Sequence, residues 1–223
     1  MSILFEHTLQ KTLSLEELSL QFAKFVAEAH RLKSLYASRI TLLVGLETEY
    51  VTDLDLQHLE TTLAALEDKI EYLVGSVHHV NGIPIDFDIS TYERALGSCS
   101  GQNDRDDAQE QFLLAYFEAQ FKLMQQFKPE IIGHFDLCRL YCPSLRFRDY
   151  PSVWERIERN IQFGVGYGAL FEINVAAFRK NWTTAYPGKD VVEVSRRRKA
   201  RDDSTHGILP GYPGGGWSVR LIG

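Results

Sequence analysis

The stretch Ile70-Glu71-Tyr72-Leu73-Val74-Gly75-Ser76-Val77-His78-His79-Val80-Asn81 decides the reading of this chain. Its first half is apolar, with aromatic and β-branched residues, and reads as a strand over 70–77. Two adjacent histidines close it. A strand that ends in imidazole delivers it to the edge where barrel and open-sheet enzymes carry out their chemistry. The same event occurs twice more. Ile40 to Val44 runs into Gly45-Leu46-Glu47-Thr48-Glu49, and Ile131-Ile132 runs into Gly133-His134-Phe135-Asp136. Three short apolar strands, each ending in histidine or carboxylate, point to one polyvalent metal site.

Outward from these strands, helical and strand patterns alternate. Ser14-Leu15-Glu16-Glu17 is a capping box that opens a helix over 14–36, with Leu18, Phe22, Phe25, Val26 and Ala29 on its apolar face. Arg39 to Leu46 is continuous in β character. Asp53 is placed to cap a helix over 54–68 that turns Leu56, Leu59, Leu63 and Leu66 inward. Asn81-Gly82 signals a turn, 83–88 a loop or edge strand, and 89–97 a short helix. A polar loop over 98–107 precedes a long helix that ends near Phe127, before Pro129. A strand over 130–135 follows. Pro151 opens a capped helix to about 165, closed by Gly166 and Gly168. A strand over 169–173 runs into Asn174.

This alternation indicates an α/β domain with parallel strands. Four strong strands fall short of a complete eight-stranded barrel, so the sheet is open or the chain is part of a barrel. After Tyr186-Pro187-Gly188 the character changes. The expected organisation is one packed unit over 1–190 and a divergent, poorly ordered tail over 191–223.

Composition narrows the function. The 223 residues carry a net charge of −6, against the character of a general nucleic-acid binder. The basic run Arg196 to Arg201 is local and reads as a solvated segment. No apolar run has the length of a membrane span, and the first thirty residues hold acidic groups and no signal-peptide core. Cys99, Cys138 and Cys142 have no CxxC spacing and read as reduced thiols of a cytoplasmic protein.

Imidazole and carboxylate together suit Zn, Fe or Mn. Such cations generate hydroxide at neutral pH and clamp phosphoryl oxygens. Glu47 is the candidate bridging carboxylate, and Glu49 shares its face if the strand continues. His78 and His134 are candidate direct ligands. Asp136 would ligate or orient a ligand histidine. Arg139, Arg179 and Lys180 each follow a strand-end motif and could bind peripheral phosphate oxygens. Asn174 could bond a substrate or fix a loop.

These strings resemble the histidinol-phosphatase branch of the PHP (polymerase and histidinol phosphatase) metallohydrolases. The likeness rests on 43–49, on 75–87 with its Ile83-Pro84-Ile85-Asp86 continuation, on 133–137, on Phe171-Glu172-Ile173-Asn174 and on Tyr186-Pro187. The resemblance implies a distorted (βα)7, TIM-like barrel with up to three divalent ions at the strand ends, and hydrolysis of L-histidinol phosphate to L-histidinol and phosphate. It implies that Glu47 bridges metals and that His78 and His134 bind them. It places His79, Asp86, Asn174 and Arg179 on the substrate side, and Asp136 and Glu172 behind the ligands. The family opens with a His-x-His motif, which no segment before Glu47 matches. It closes its ligand set with Asp-x-His. Asp203 and His206 stand in for that pair, with one residue too many between them, which on a strand would turn one side chain to the opposite face. The expectation is therefore a partial barrel lacking its first strand or strands, with fewer than three ions.

Overall fold

The computed structural model describes residues 15–66, 69–99, 105–179 and 182–194. Ser14, Lys180, the basic run, and Asp203 and His206 lie outside the described residues, as does the tail beyond 194.

Helix α1 (Leu15–Tyr36) buries Phe22 and Val26. Phe25, expected inward, is half-exposed and stacks on Phe22 instead, with ring centroids 6.4 Å apart. Strand β1 (Gly45–Glu49) begins later than the apolar pattern over 39–46. Its ladder partner β2 (Tyr72–Ser76) starts opposite Gly45, and a ladder cannot outrun its partner. Helix α2 (Asp53–Ala64) is capped by Thr52, whose side chain accepts from the Asp55 N–H, rather than by Asp53. Leu56 and Leu59 form its buried face.

Beyond β2 the chain makes a tight hairpin, β3 (His79–Val80) against β4 (Ile83–Pro84). Asn81 and Gly82 both have positive φ, as a two-residue primed turn requires. Helix α3 (Ile89–Gly97) opens with a reciprocal capping box between Asp88 and Thr91. Helix α4 (Arg105–Phe127) and helix α5 (Pro151–Tyr167) pack together, burying Phe112, Leu113, Tyr116, Phe117, Ile157 and Ile161. α5 starts on Pro151 with no side-chain cap, because Tyr150 precedes it, and stops at Gly168, where φ is +89°. Between α4 and α5 lies β5 (Ile131–Ile132). β6 (Leu170–Phe171) follows α5, and the short α6 (Ala176–Arg179) follows β6.

The sheet order is β1-β2-β5-β6, and every pairing is parallel. The α/β reading with a parallel sheet therefore holds. Among the described residues the sheet does not close into a barrel. Parallel strands all end on the same edge, so the residues after β1, β2, β5 and β6 share one lip.

A buried ion-pair network braces that lip. Asp136 is fully buried, and its Oδ2 lies 2.6 Å from Arg139 Nη2 and accepts the Gly188 N–H at 2.8 Å. Arg139 also pairs with Asp190 at 3.0 Å, and its guanidinium lies over the rings of Phe147 and Trp182. Burial pushes the Asp136 carboxyl above its ordinary range, against the pull of Arg139 and the Gly188 N–H. Arg139, considered for phosphate binding, is thus a strut: the one-turn 3-10 segment Leu137–Arg139 folds it inward to meet Asp136. Val191 and Val194, at the end of the described chain, are buried against the same core. Removing one partner of a buried pair typically costs about 3–5 kcal/mol. Arg139→Ala should lower the unfolding free energy by roughly that amount in urea titration. An unchanged midpoint with a raised KM for a phosphate ester would instead make it a substrate group.

Candidate metal centre

Glu47 projects from the middle of β1, opposite Val74 of β2. His78 follows β2 by two residues, and His134 follows β5 by two. Their donor atoms converge: His134 Nε2 lies 3.3 Å and His78 Nε2 4.0 Å from Glu47 Oε1, and one ligand atom from each residue lies within 4.8 Å of the others. The two imidazole centroids are 4.6 Å apart. Bonds of about 2.0–2.2 Å to a common ion place its donors roughly 3.3 Å apart or a little more, so this spacing fits one shared cation. Glu47 is the most exposed of the three side chains at 36%, against 16% for His78 and 12% for His134. The centre is therefore open on one side, as a catalytic site must be and a structural zinc site is not.

Each donor is held from behind. Ser76 donates to Glu47 Oε1 at 2.7 Å. Glu172 accepts the His134 backbone N–H at 2.9 Å and a bond from Asn174 Nδ2. His134 itself has φ +20°, at the border of a region L residues rarely occupy. Glu49, the last residue of β1, is almost fully buried and receives the His78 N–H at 3.2 Å. His79 Nδ1 is also hydrogen-bonded to it.

Electrostatics follow from this packing. Burial raises the Glu47 pKa, but the hydrogen bond and charge of His134, the Ser76 hydroxyl and the charge of His78 outweigh burial and hold it at about 2. Burial pushes Glu49 up as well, yet His78 and His79 drive it well below the carboxylate range. His78 shows the reverse balance. Burial lowers its pKa, while Glu49, then Asp86 and Glu47, raise it to about 9.

Other expected site residues fall elsewhere. Asp136 bonds neither ligand ring; its contacts are Arg139 and Gly188, because the backbone turns into the 3-10 segment directly after it. His79, expected on the substrate side, turns to Glu49 because the hairpin reverses there. Asn174 fixes a loop: its Oδ1 accepts the Ala176 N–H, its Nδ2 bonds Glu172, and its backbone bridges Tyr186. Arg179 is exposed at the end of α6. Asp86 lies close enough for its charge to act on His78, and its Oδ1 is buried without a hydrogen-bond partner among the described residues. Ser76 is not singled out by the sequence pattern, although it stands two residues before His78 in the strand that delivers it.

The sequence pattern of the PHP domain matches residues 6–176. This chain belongs to the PHP domain family. It is 42% identical over 198 residues to a Schizosaccharomyces pombe protein named "Probable histidinol-phosphatase", covering 86% of this chain and 62% of that protein. Against the Saccharomyces cerevisiae histidinol-phosphatase the identity is 29% over 222 residues, covering 86% and 64%. The PHP chain thus spans under two thirds of the length of these relatives. Its fold is similar to the crystal structure of a Listeria monocytogenes protein assigned as a histidinol phosphatase, with TM-score 0.66 at 20% identity over 87% of this chain and 72% of that one. No described helix of the PHP chain is long and apolar enough to cross a membrane.

A raised His78 pKa has a definite sign. Its stabilisation of the metal-free fold is complete below the ordinary value of 6.5 and is lost as pH rises through about 9. A cation must displace that same proton. Across pH 6.5 to 9, thermal stability without metal should fall while metal affinity climbs, by up to tenfold per pH unit for one proton. Calorimetric titration at several pH values would read both the affinity and the released proton, and a flat affinity would refute the assignment.

Proposed function

We propose that this PHP chain carries the site of a metal-dependent phosphomonoesterase, a histidinol-phosphatase that converts L-histidinol phosphate to L-histidinol and phosphate. The observation that carries the reading is the convergence of Glu47 Oε1, His78 Nε2 and His134 Nε2 at one open strand lip. The names of the fungal relatives supply the substrate.

Glu47, His78 and His134 would hold a divalent cation; neutral imidazole with carboxylate suits Zn, Mn or Fe. When bound, such an ion supplies Lewis acidity towards phosphoryl oxygens and a water activated at neutral pH. The chain's own residues set the geometry. Ser76 steers the Glu47 carboxylate, and Glu172 pins the backbone that presents His134. Asp86, whose charge acts on His78 and whose Oδ1 has no hydrogen-bond partner among the described residues, is suited to receive the cationic end of an amino alcohol. Arg179, exposed at the end of α6, is a candidate for the phosphate oxygens. Asp203 and His206 remain candidates for completing the ligand set. The three free cysteines favour a reducing compartment such as the cytoplasm.

Inorganic phosphate released from L-histidinol phosphate, with Mn or Zn added, is the direct measurement. We expect saturable turnover that falls to the blank rate in His78→Ala. A clean preparation with neither turnover nor bound metal would instead describe a non-catalytic remnant of the family.

A further inference from the structure

We infer that Glu49 and His79 are positioning residues of the metal centre, acting through His78. The inference rests on the assignment of Glu47, His78 and His134 as metal ligands.

The geometry is local and specific. Glu49 closes β1, and its register partner is Ser76, the last residue of β2. This places its carboxylate beside the chain as it leaves β2 towards the two histidines. One oxygen, Oε1, accepts the His78 backbone N–H at 3.2 Å, stands 3.5 Å from His78 Nδ1 and is hydrogen-bonded to His79 Nδ1. The Glu49 side chain is 2% exposed, and those of His78 and His79 are 16% and 12% exposed. A buried carboxylate is costly unless donors surround it. Here the donors come from consecutive residues of one segment.

The consequence for His78 is directional. An anionic acceptor on the Nδ1 side keeps one proton on Nδ1, so that the proton a cation displaces is the one on Nε2, the nitrogen towards Glu47 and His134. That is the tautomer and ring orientation a cation requires, and the adjacent carboxylate makes the nitrogen a stronger donor. His79 Nδ1 holds the same carboxylate oxygen. His79 also lines a cavity of about 360 Å³ with Tyr50, Asp53, Asn81 and Lys122. Adjacent histidines therefore divide the work: His78 ligates, and His79 anchors the group that aims it. Glu49 is not itself a ligand in this arrangement, although it shares a strand face with Glu47.

The test is cobalt(II) binding to the full chain, followed by absorption titration, with circular dichroism as the control for folding. Wild type should bind Co(II) with a visible ligand-field band, and His78→Ala should abolish it. Absence of binding by wild type would overturn the metal-centre reading itself, and this inference with it. Given wild-type binding, Glu49→Gln should retain the fold, weaken Co(II) binding by about 10–100-fold and alter the band. His79→Asn should weaken binding in the same direction by less, and Glu49→Asp should recover part of the affinity. A folded Glu49→Gln with wild-type affinity and an unchanged band would overturn the positioning role while leaving the metal centre intact. Should Glu49→Gln fail to fold, Glu49→Asp and His79→Asn decide: unchanged affinity and band in both would overturn the inference.

Discussion

The register of β1 against β2 is the constraint on which the rest of the site depends. Glu47 opposite Val74 and Glu49 opposite Ser76 bring both carboxylates level with the end of β2, where the chain turns into His78 and His79. A slip of one residue would send both acidic side chains to the opposite face. The Glu47 carboxylate would then leave His78 and His134, and the His78 ring would lose its buried acceptor. The register is held by the ladder itself, by the Thr48 hydroxyl donating to the Val74 carbonyl, and by Glu71 accepting the Val44 N–H at the entrance to the pair. The parallel sheet then brings His134 from β5 to the same lip.

Beneath this lip, α4 and α5 provide the rigid base. Asn160 donates to the Phe117 carbonyl and to Gln120, and Gln120 in turn donates to the Phe135 carbonyl, next to His134. Tyr116 reaches the same carbonyl. Buried polar groups fully satisfied in this way make a unique arrangement rather than a sliding one. The segment that carries His134 is thereby tied to the helical layer as well as to its sheet neighbours.

Much of this is legible in the sequence for a simple reason. Apolar strands flanked by glycine declare their own ends, and the direction of a parallel strand fixes which end carries chemistry. Glu47, His78 and His134 are reached by that logic alone, and the four strands of the sheet can be counted from it. The turns just past a strand are harder to read. Asp136 lies two residues past His134 and His79 one past His78, but the 3-10 segment turns Asp136 to Arg139 and the hairpin turns His79 to Glu49. Arg139 looks like a solvated or phosphate-binding charge in the sequence because the 3-10 turn that folds it onto Asp136 has no sequence signature and its second partner, Asp190, is distant along the chain. Phe25 matches a helical stripe that is wider than the face the helix buries.

The packing around Arg139 also makes the molecule optically readable. Trp182 is 7% exposed, donates its indole N–H to the Leu140 carbonyl at 3.1 Å and meets Tyr186 edge-on at 4.9 Å between centroids. It thus belongs to the joint where the late segment 182–194 docks onto the loop after β5. Indole emission depends on the polarity around the ring, so detachment of that segment would shift the Trp182 spectrum to the red even where the helical content stayed constant. The brace at the lip carries its own fluorophore.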